Sequence, residues 1–164
     1  MPDSSIADIS VRFRVLIGGS RYAEEADLAA GAVDLGDRSP LKGQVEMAAP
    51  DAPPARPEDE LVPLVLGLCF RAVDDLTRSD HAVVRYANDY GYLRLDREAQ
   101  LIRISGDGVP LVRFPERALL PALVDCGARF ARWARQTAVP GEDAAALAAE
   151  LARAEQRARA ALAG

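Results

Sequence analysis

The chain has 164 residues, 49% of them hydrophobic and 27% charged, with a net charge of −5. That length suits one domain with a real core, and the balance is globular rather than disordered. An acidic chain argues against a general nucleic-acid binder, no apolar run is long enough for a membrane helix, and "MPDSSIADIS" lacks a secretory pattern, so a cytoplasmic protein with neither kind of partner is expected.

Residues 1–10 read as a flexible N-terminus, 11–137 as a single α+β domain, and 138–164 as a linker and C-terminal helix. "VRFRVLI" (11–17) alternates Val11, Phe13, Val15 and Ile17 with Arg12 and Arg14, the pattern of a half-buried strand. Gly18-Gly19-Ser20 ends it, and "RYAEEADLAAG" has helix formers but too few for a defined helix. "AVDL" and "GQVEMA" read as short strands around a turn at "GDRSP".

"APDAPPARP" (49–57) is a proline-rich loop that leads into a helix over 58–78. Glu58, Asp59 and Glu60 suit the positive end of that helix. Its apolar stripe runs through Leu61, Val65, Leu68, Ala72 and Leu76, widened by Val62, Leu66, Cys69 and Val73, which predicts extensive burial. "HAVVRYA" (81–87) reads as a strand, followed by a turn at "NDYG". A second helix is expected from about Pro115 to Gln136, with Arg129, Arg132 and Arg135 toward its end. The Ala-rich helix 143–163 has only a thin stripe, Leu147, Leu151 and Ala154 or Ala158; docking on its own chain and pairing with a second copy are both open. "PEDELVPLVLG" (57–67) and "PERALLPALVD" (115–125) echo each other, with Pro57 and Pro115 expected at the first helical position.

Catalytic signals are sparse. The one histidine, His81, falls at a turn, and Cys69 and Cys126 lie in apolar helical stripes, which points to buried reduced thiols rather than nucleophiles. Asp74, Asp75 and Asp89 do not have metal-ligand spacing, so neither a metal nor a cofactor is expected. "GGS" lacks the lysine and spaced glycines of phosphate loops, and "GDG" (106–108) reads as a turn. Glu46, Asp59, Asp75, Asp96 and Glu98 could supply a carboxylate pair, but no context singles out two.

The informative stretch is "YLRLDREAQLIRISGDGVPLVRF" (92–114), three strands that each carry an arginine between apolar residues. With Leu95 opposite Ile102 and Ile104 opposite Val112, Arg94, Arg103 and Arg113 stand side by side on one face, beside Tyr92 and with Arg85 extending the row. Like charges abreast are unfavourable, so Asp96, Glu98, Glu46 or a partner's carboxylates must offset them. Arginine with aromatic and aliphatic neighbours is an interface composition, and it equally describes a solvated sheet face. If β-strand 11–17 pairs nearby, Arg12 or Arg14 joins the row.

The expected fold is therefore α+β: a mainly antiparallel sheet, two amphipathic helices packed on one face, and a trailing C-terminal helix. The meander "DYGYLRLDREAQLIRISG" followed by "PLVRFPERALLPALVDCGARF" resembles small bacterial immunity proteins of polymorphic toxin systems over residues 81–135. The resemblance implies a cytosolic, non-catalytic protein that neutralises a cognate toxin by stoichiometric binding. A basic toxin would meet acidic loops such as Glu58–Glu60 or Asp74-Asp75. Two other readings stand beside it: a small enzyme or ligand-binding domain with a pocket between sheet and helices, and a module that dimerises through 143–163.

Overall fold

The computed structural model describes residues 8–36, 38–88 and 91–164; residues 1–7 of the expected flexible terminus, and Asp89 and Tyr90 of the "NDYG" turn, lie outside them. Strand β1 spans Ser10–Gly18, β2 Arg21–Ala23, β3 Lys42–Ala49, β4 Ala52–Ala55 and β5 Glu58–Glu60. These form one antiparallel sheet in the order β2-β1-β3-β4, with β5 also on β3. Strands β6 (His81–Arg85), β7 (Tyr92–Glu98), β8 (Leu101–Gly106) and β9 (Val112–Pro115) form a second sheet, a simple meander. Helix α1 is Glu25–Ala29. A continuous helical rod runs as α2 (Leu61–Leu64), a π-helical segment (Val65–Arg71) and α3 (Ala72–Arg78), and α4 is Glu116–Gln136 and α5 Ala144–Ala163.

The α+β class is as the sequence indicates, and the strands divide between two sheets for a reason the sequence contains. Strand β4 lies beside β9. It consists of Ala52-Pro53-Pro54-Ala55, and proline nitrogens have no hydrogen to donate to a further ladder. The loop expected at 49–57 thus holds an edge strand where the first sheet stops. "AVDL" forms no strand, and "RYAEEADLAAG" resolves into β2 and the short α1.

Glu58–Glu60 is the clearest correction. It is strand β5, pairing Lys42 with Glu60 and Gln44 with Glu58, and the helix begins only at Leu61. Favourable helix-end charge is a local effect of under about 1 kcal/mol, and three residues of pairing with β3 outweigh it. Neither proline of the echoed segments sits at the first helical position: Pro57 precedes β5, and Pro115 ends β9 and caps α4. Farther along, the echo does align buried positions, Leu61 with Leu119 and Val62 with Leu120.

Helix α4 is the centre of the molecule. It lies on β1 of the first sheet, touches β8 and β9 of the second, and crosses the π-helical segment. Phe130 meets Phe13 of β1 edge-on at 5.3 Å, and Trp133 lies 5.7 Å from Phe130 and 5.9 Å from Phe13. Such pairs contribute about 0.5–1.5 kcal/mol each beyond the area they bury. Helix α5 covers α4 and the rod, and its Leu147, Leu151 and Ala158 belong to the same core cluster as the sheets. Its apolar stripe is therefore occupied within its own chain.

Candidate functional site

Strands β7, β8 and β9 set the geometry of the second sheet's outer face. Leu93, Leu95, Ile102, Ile104, Val112 and Phe114 all point inward and are buried, as period-two alternation requires. The expected pairing of Ile104 with Val112 is present, but Leu95 faces Ile104, not Ile102. That shift by two residues keeps the faces and moves every outer neighbour by one row.

The consequence is that the arginines do not stand three abreast. Arg94 faces Val83 and Ser105, while Asp96 faces His81 on one side and Arg103 on the other. Arg103 and Arg113 remain directly opposed. Carboxylates from the same face interleave: Asp96 bridges Arg94 (3.2 Å) and Arg103 (3.3 Å), and Glu98 bridges Arg103 (2.9 Å) and Arg113 (3.0 Å). A zigzag of alternating charge thus crosses the sheet, and two carboxylates serve three arginines. Glu46, Arg12 and Arg14 take no part. They form a separate ladder on the first sheet, where Glu46 holds Arg12 at 2.7 Å and Arg56 at 2.6 Å, and Arg14 holds Glu24 at 2.6 Å.

Around this zigzag sit apolar side chains. Among the described residues, the large hydrophobic side chains left exposed are Val83, Tyr92, Leu101 and Leu111. Tyr92 pairs with exposed Arg85, Val83 with Arg94, and Leu101 with Glu98. Leu111 precedes β9 in phase with Arg113, so all four belong to this one face or its rim. The predicted candidates Arg85, Tyr92, Arg94, Arg103 and Arg113 are therefore brought together.

The acidic candidates are not. Asp59 points inward and accepts a hydrogen bond from the Ala87 amide at 2.5 Å. Glu58 and Glu60 flank it on β5 of the other sheet, and Asp74 pairs with Arg78 on α3 (3.1 Å). Asp75, also on α3, lies with Asp74 about 20 Å along the rod from Glu60, at a rise of about 1.5 Å per residue. These five carboxylates form no common patch.

The pKa of Asp96 is lowered even though burial acts to raise it, because hydrogen bonds from Arg94 and Arg103 outweigh the desolvation. A carboxylate with a depressed folded pKa contributes stability in full above its unfolded value and loses it as pH falls through the folded one. Below pH about 4, the unfolded aspartate value, wild type should therefore lose stability faster than Asp96→Asn. Urea midpoints measured from pH 5 down to pH 2 check this; parallel curves would show that the Asp96 bridges contribute nothing.

His81 is exposed on β6, with Nδ1 3.2 Å from Ser79 Oγ. Cys69 and Cys126 are free and buried, and the Cys69 thiol is pushed well above its ordinary value by its hydrogen bond with Cys126 and by burial. "GDG" is a turn with Gly108 at φ +79°, and Asp107 there accepts from the Tyr92 amide at 3.1 Å. Among the described residues, no group of three or more His, Cys, Asp or Glu is placed to hold a metal ion, and no helix is long and apolar enough to cross a membrane.

Arg97 was not singled out by the sequence, and Arg129 was expected only as a favourable charge toward the end of its helix; both tie neighbouring elements together. Arg97 continues the inward phase of Leu93 and Leu95, and that break in apolar alternation is the signal that could have found it. Arg129 of α4 pairs with Glu25 at 2.7 Å; together they close the edge of β1, Arg129 donating to the Val11 carbonyl and Glu25 accepting from the Phe13 amide. No protein-family model matches the chain, and no curated protein or solved structure matches it significantly.

Proposed function

We propose that this protein is a non-catalytic binding module of the immunity kind, which neutralises a cognate bacterial toxin by stoichiometric contact. The observation that carries the reading is the outer face of the second sheet. Exposed apolar side chains gather there around arginines whose charges are already organised by Asp96 and Glu98. An ordered ladder presents guanidinium groups without the entropy cost of fixing each on binding, and the apolar rim supplies area to desolvate. The segment that resembles immunity proteins, 81–135, is the one that builds this sheet and most of α4.

The face also redirects the expected charge match. It carries Arg85, Arg94, Arg103 and Arg113 against Asp96 and Glu98 on a chain whose net charge is −5. A partner with an acidic, partly apolar surface suits it better than a basic one.

The test is co-expression with the product of a neighbouring toxin-like reading frame, followed by purification of the complex. A 1:1 complex that suppresses toxicity is expected. Tyr92→Ser with Leu101→Ser should weaken it by roughly a hundredfold, since interface anchors contribute about 1–2 kcal/mol or more each, with an unchanged circular dichroism spectrum. A complex indifferent to both substitutions, or toxicity unrelieved by co-expression, overturns the reading.

A further inference from the structure

Sheet edges offer unpaired backbone groups to any passing strand, so natural folds guard them. The guards here can be named. Strand β2 is only three residues long, β4 carries Pro53-Pro54, and β9 lies beside β4 between Pro110 and Pro115. The part of β1 beyond β2 is closed by Glu25 and Arg129. Strand β6, "HAVVR", has no proline and keeps an unbroken register with β7.

The phase of its hydrogen bonds shows which groups face outward. The Arg97 amide donates to Asp80 O (2.7 Å) and the Tyr86 amide to Gly91 O (3.2 Å). Bonded pairs alternate in an antiparallel ladder, so Ala82 and Val84 turn their backbone to β7 while Val83 and Arg85 turn theirs away. Beyond that edge runs a groove of about 540 Å³, with Val83 and Arg85 on the strand side and Leu66, Gly67 and Arg71 of the π-helical segment opposite. Gly67 lies close against the strand here: a Cβ on it would come within 3.0 Å of Val84 Cγ1. A second hollow of about 270 Å³ shares Leu66 and Arg71 and extends the groove to Arg153 and Arg157 of α5.

Charge selects the occupant. Among the described residues, Arg71, Arg85, Arg153 and Arg157 have no ion-pair partner. Of the carboxylates on these walls, Asp74 is held by Arg78, which leaves Glu142 and Glu150 against four guanidinium groups. We propose that β6 accepts an extended segment of the partner protein as a fifth strand of its sheet, with apolar and acidic residues alternating in that segment. Backbone bonds to Val83 and Arg85 supply affinity, Leu66 and its neighbours receive the apolar side chains, and the arginines select carboxylates. This rests on the protein-binding reading and adds where the partner docks and by what chemistry.

The probe is a peptide, acetyl-(Val-Glu)3-Val-amide, added to the isotope-labelled full chain, with acetyl-(Val-Lys)3-Val-amide as the control. Hydrogen exchange at the Val83 and Arg85 amides should slow by roughly tenfold or more with the acidic peptide, because these groups pass from solvent into a ladder. Ala82 and Val84, already bonded to β7, should not change. Val83→Pro removes one outward amide hydrogen without breaking a bond to β7; it should keep the wild-type melting temperature and lose the peptide. Unchanged exchange at Val83 and Arg85, equal binding of the lysine peptide, or full binding by Val83→Pro overturns the proposal. So does protection of both amides in the protein alone that rises with its concentration, which would mean a second copy covers the edge. If Tyr92→Ser with Leu101→Ser abolishes the toxin complex while the peptide is ignored, strand addition fails and the sheet-face reading stands.

Discussion

Replacing Gly127 by leucine is expected to destabilise the protein by about 3 kcal/mol, the upper part of the range for overpacking a filled core. Gly127 lies in the middle of α4, where a glycine ordinarily costs about 1 kcal/mol of helix propensity relative to alanine. Leucine therefore gains locally, and a loss must come from packing. A Cβ at this position would stand 2.5 Å from Phe70 Cζ, 2.6 Å from Cε1 and 3.0 Å from Cys69 Cβ. Phe70 and Cys69 belong to the π-helical segment and are buried, so the ring has no solvent-exposed space to retreat into. The two helices must separate, and α5, which covers both, must follow. At about 2–4 °C per kcal/mol for a chain of this size, the melting temperature should fall by about 10 °C. Phe70→Leu in the Gly127→Ala background provides the control. If the clash is the cause, the double-mutant cycle shows a favourable coupling of at least about 1 kcal/mol; additive losses would place the defect elsewhere in α4.

Gly127 also shows how the sequence divides into legible and hidden parts. Strands β1, β7, β8 and β9 and helix α4 were readable because each carries its own periodicity over enough residues to define a buried face. Strand β5 was not: Glu58–Glu60 is a strand only because Lys42 and Gln44, some sixteen residues earlier, lie beside it. Strand β4 was hidden by the prolines that make it an edge. The π-helical segment keeps an apolar sequence compatible with an ordinary helix, so nothing local marks it, and a glycine on the other helix records where it needs room. At the candidate site, the face of each arginine was fixed by alternation, but its neighbours were not. Register depends on turn lengths and inward packing, and a shift of two residues preserves both faces while it changes which charges touch. Asp96 and Glu98 stood among the possible counter-charges; only the observed register separates them from Glu46.

The second large loss is expected at Arg97. Its side chain leaves β7 on the inward face and ends among carbonyl oxygens: Nη1 donates to Ser79 O at 3.0 Å, and Nη2 donates to Leu76 O. These are groups at the C-terminal end of α3, where the helix has run out of amide donors of its own and the dipole favours a cation. The same guanidinium binds Asp80 at 3.0 Å and Glu116, the first residue of α4, at 2.6 Å. One side chain thus ties the end of the rod, a strand of the binding sheet and the start of the central helix. The Glu116 hydrogen bond raises its pKa above the ordinary arginine value despite burial, so the pair favours the charged guanidinium. Arg97→Met keeps an unbranched apolar stem and removes every donor. Hydrogen bonds to a charged group contribute about 1.5–3 kcal/mol, and the orphaned carbonyls are partly buried, so a loss of about 3 kcal/mol is expected. Arg97→Lys should recover less than half of it, since one ammonium cannot match the planar fork that reaches α3 and Glu116 together. Glu116→Gln should cost only about 1 kcal/mol, because the bonds to α3 survive it. Chemical denaturation of the three variants checks the order Met, Lys, Gln; a Glu116→Gln loss equal to that of Arg97→Met would mean that the ion pair, rather than the capping of α3, fixes this corner of the sheet.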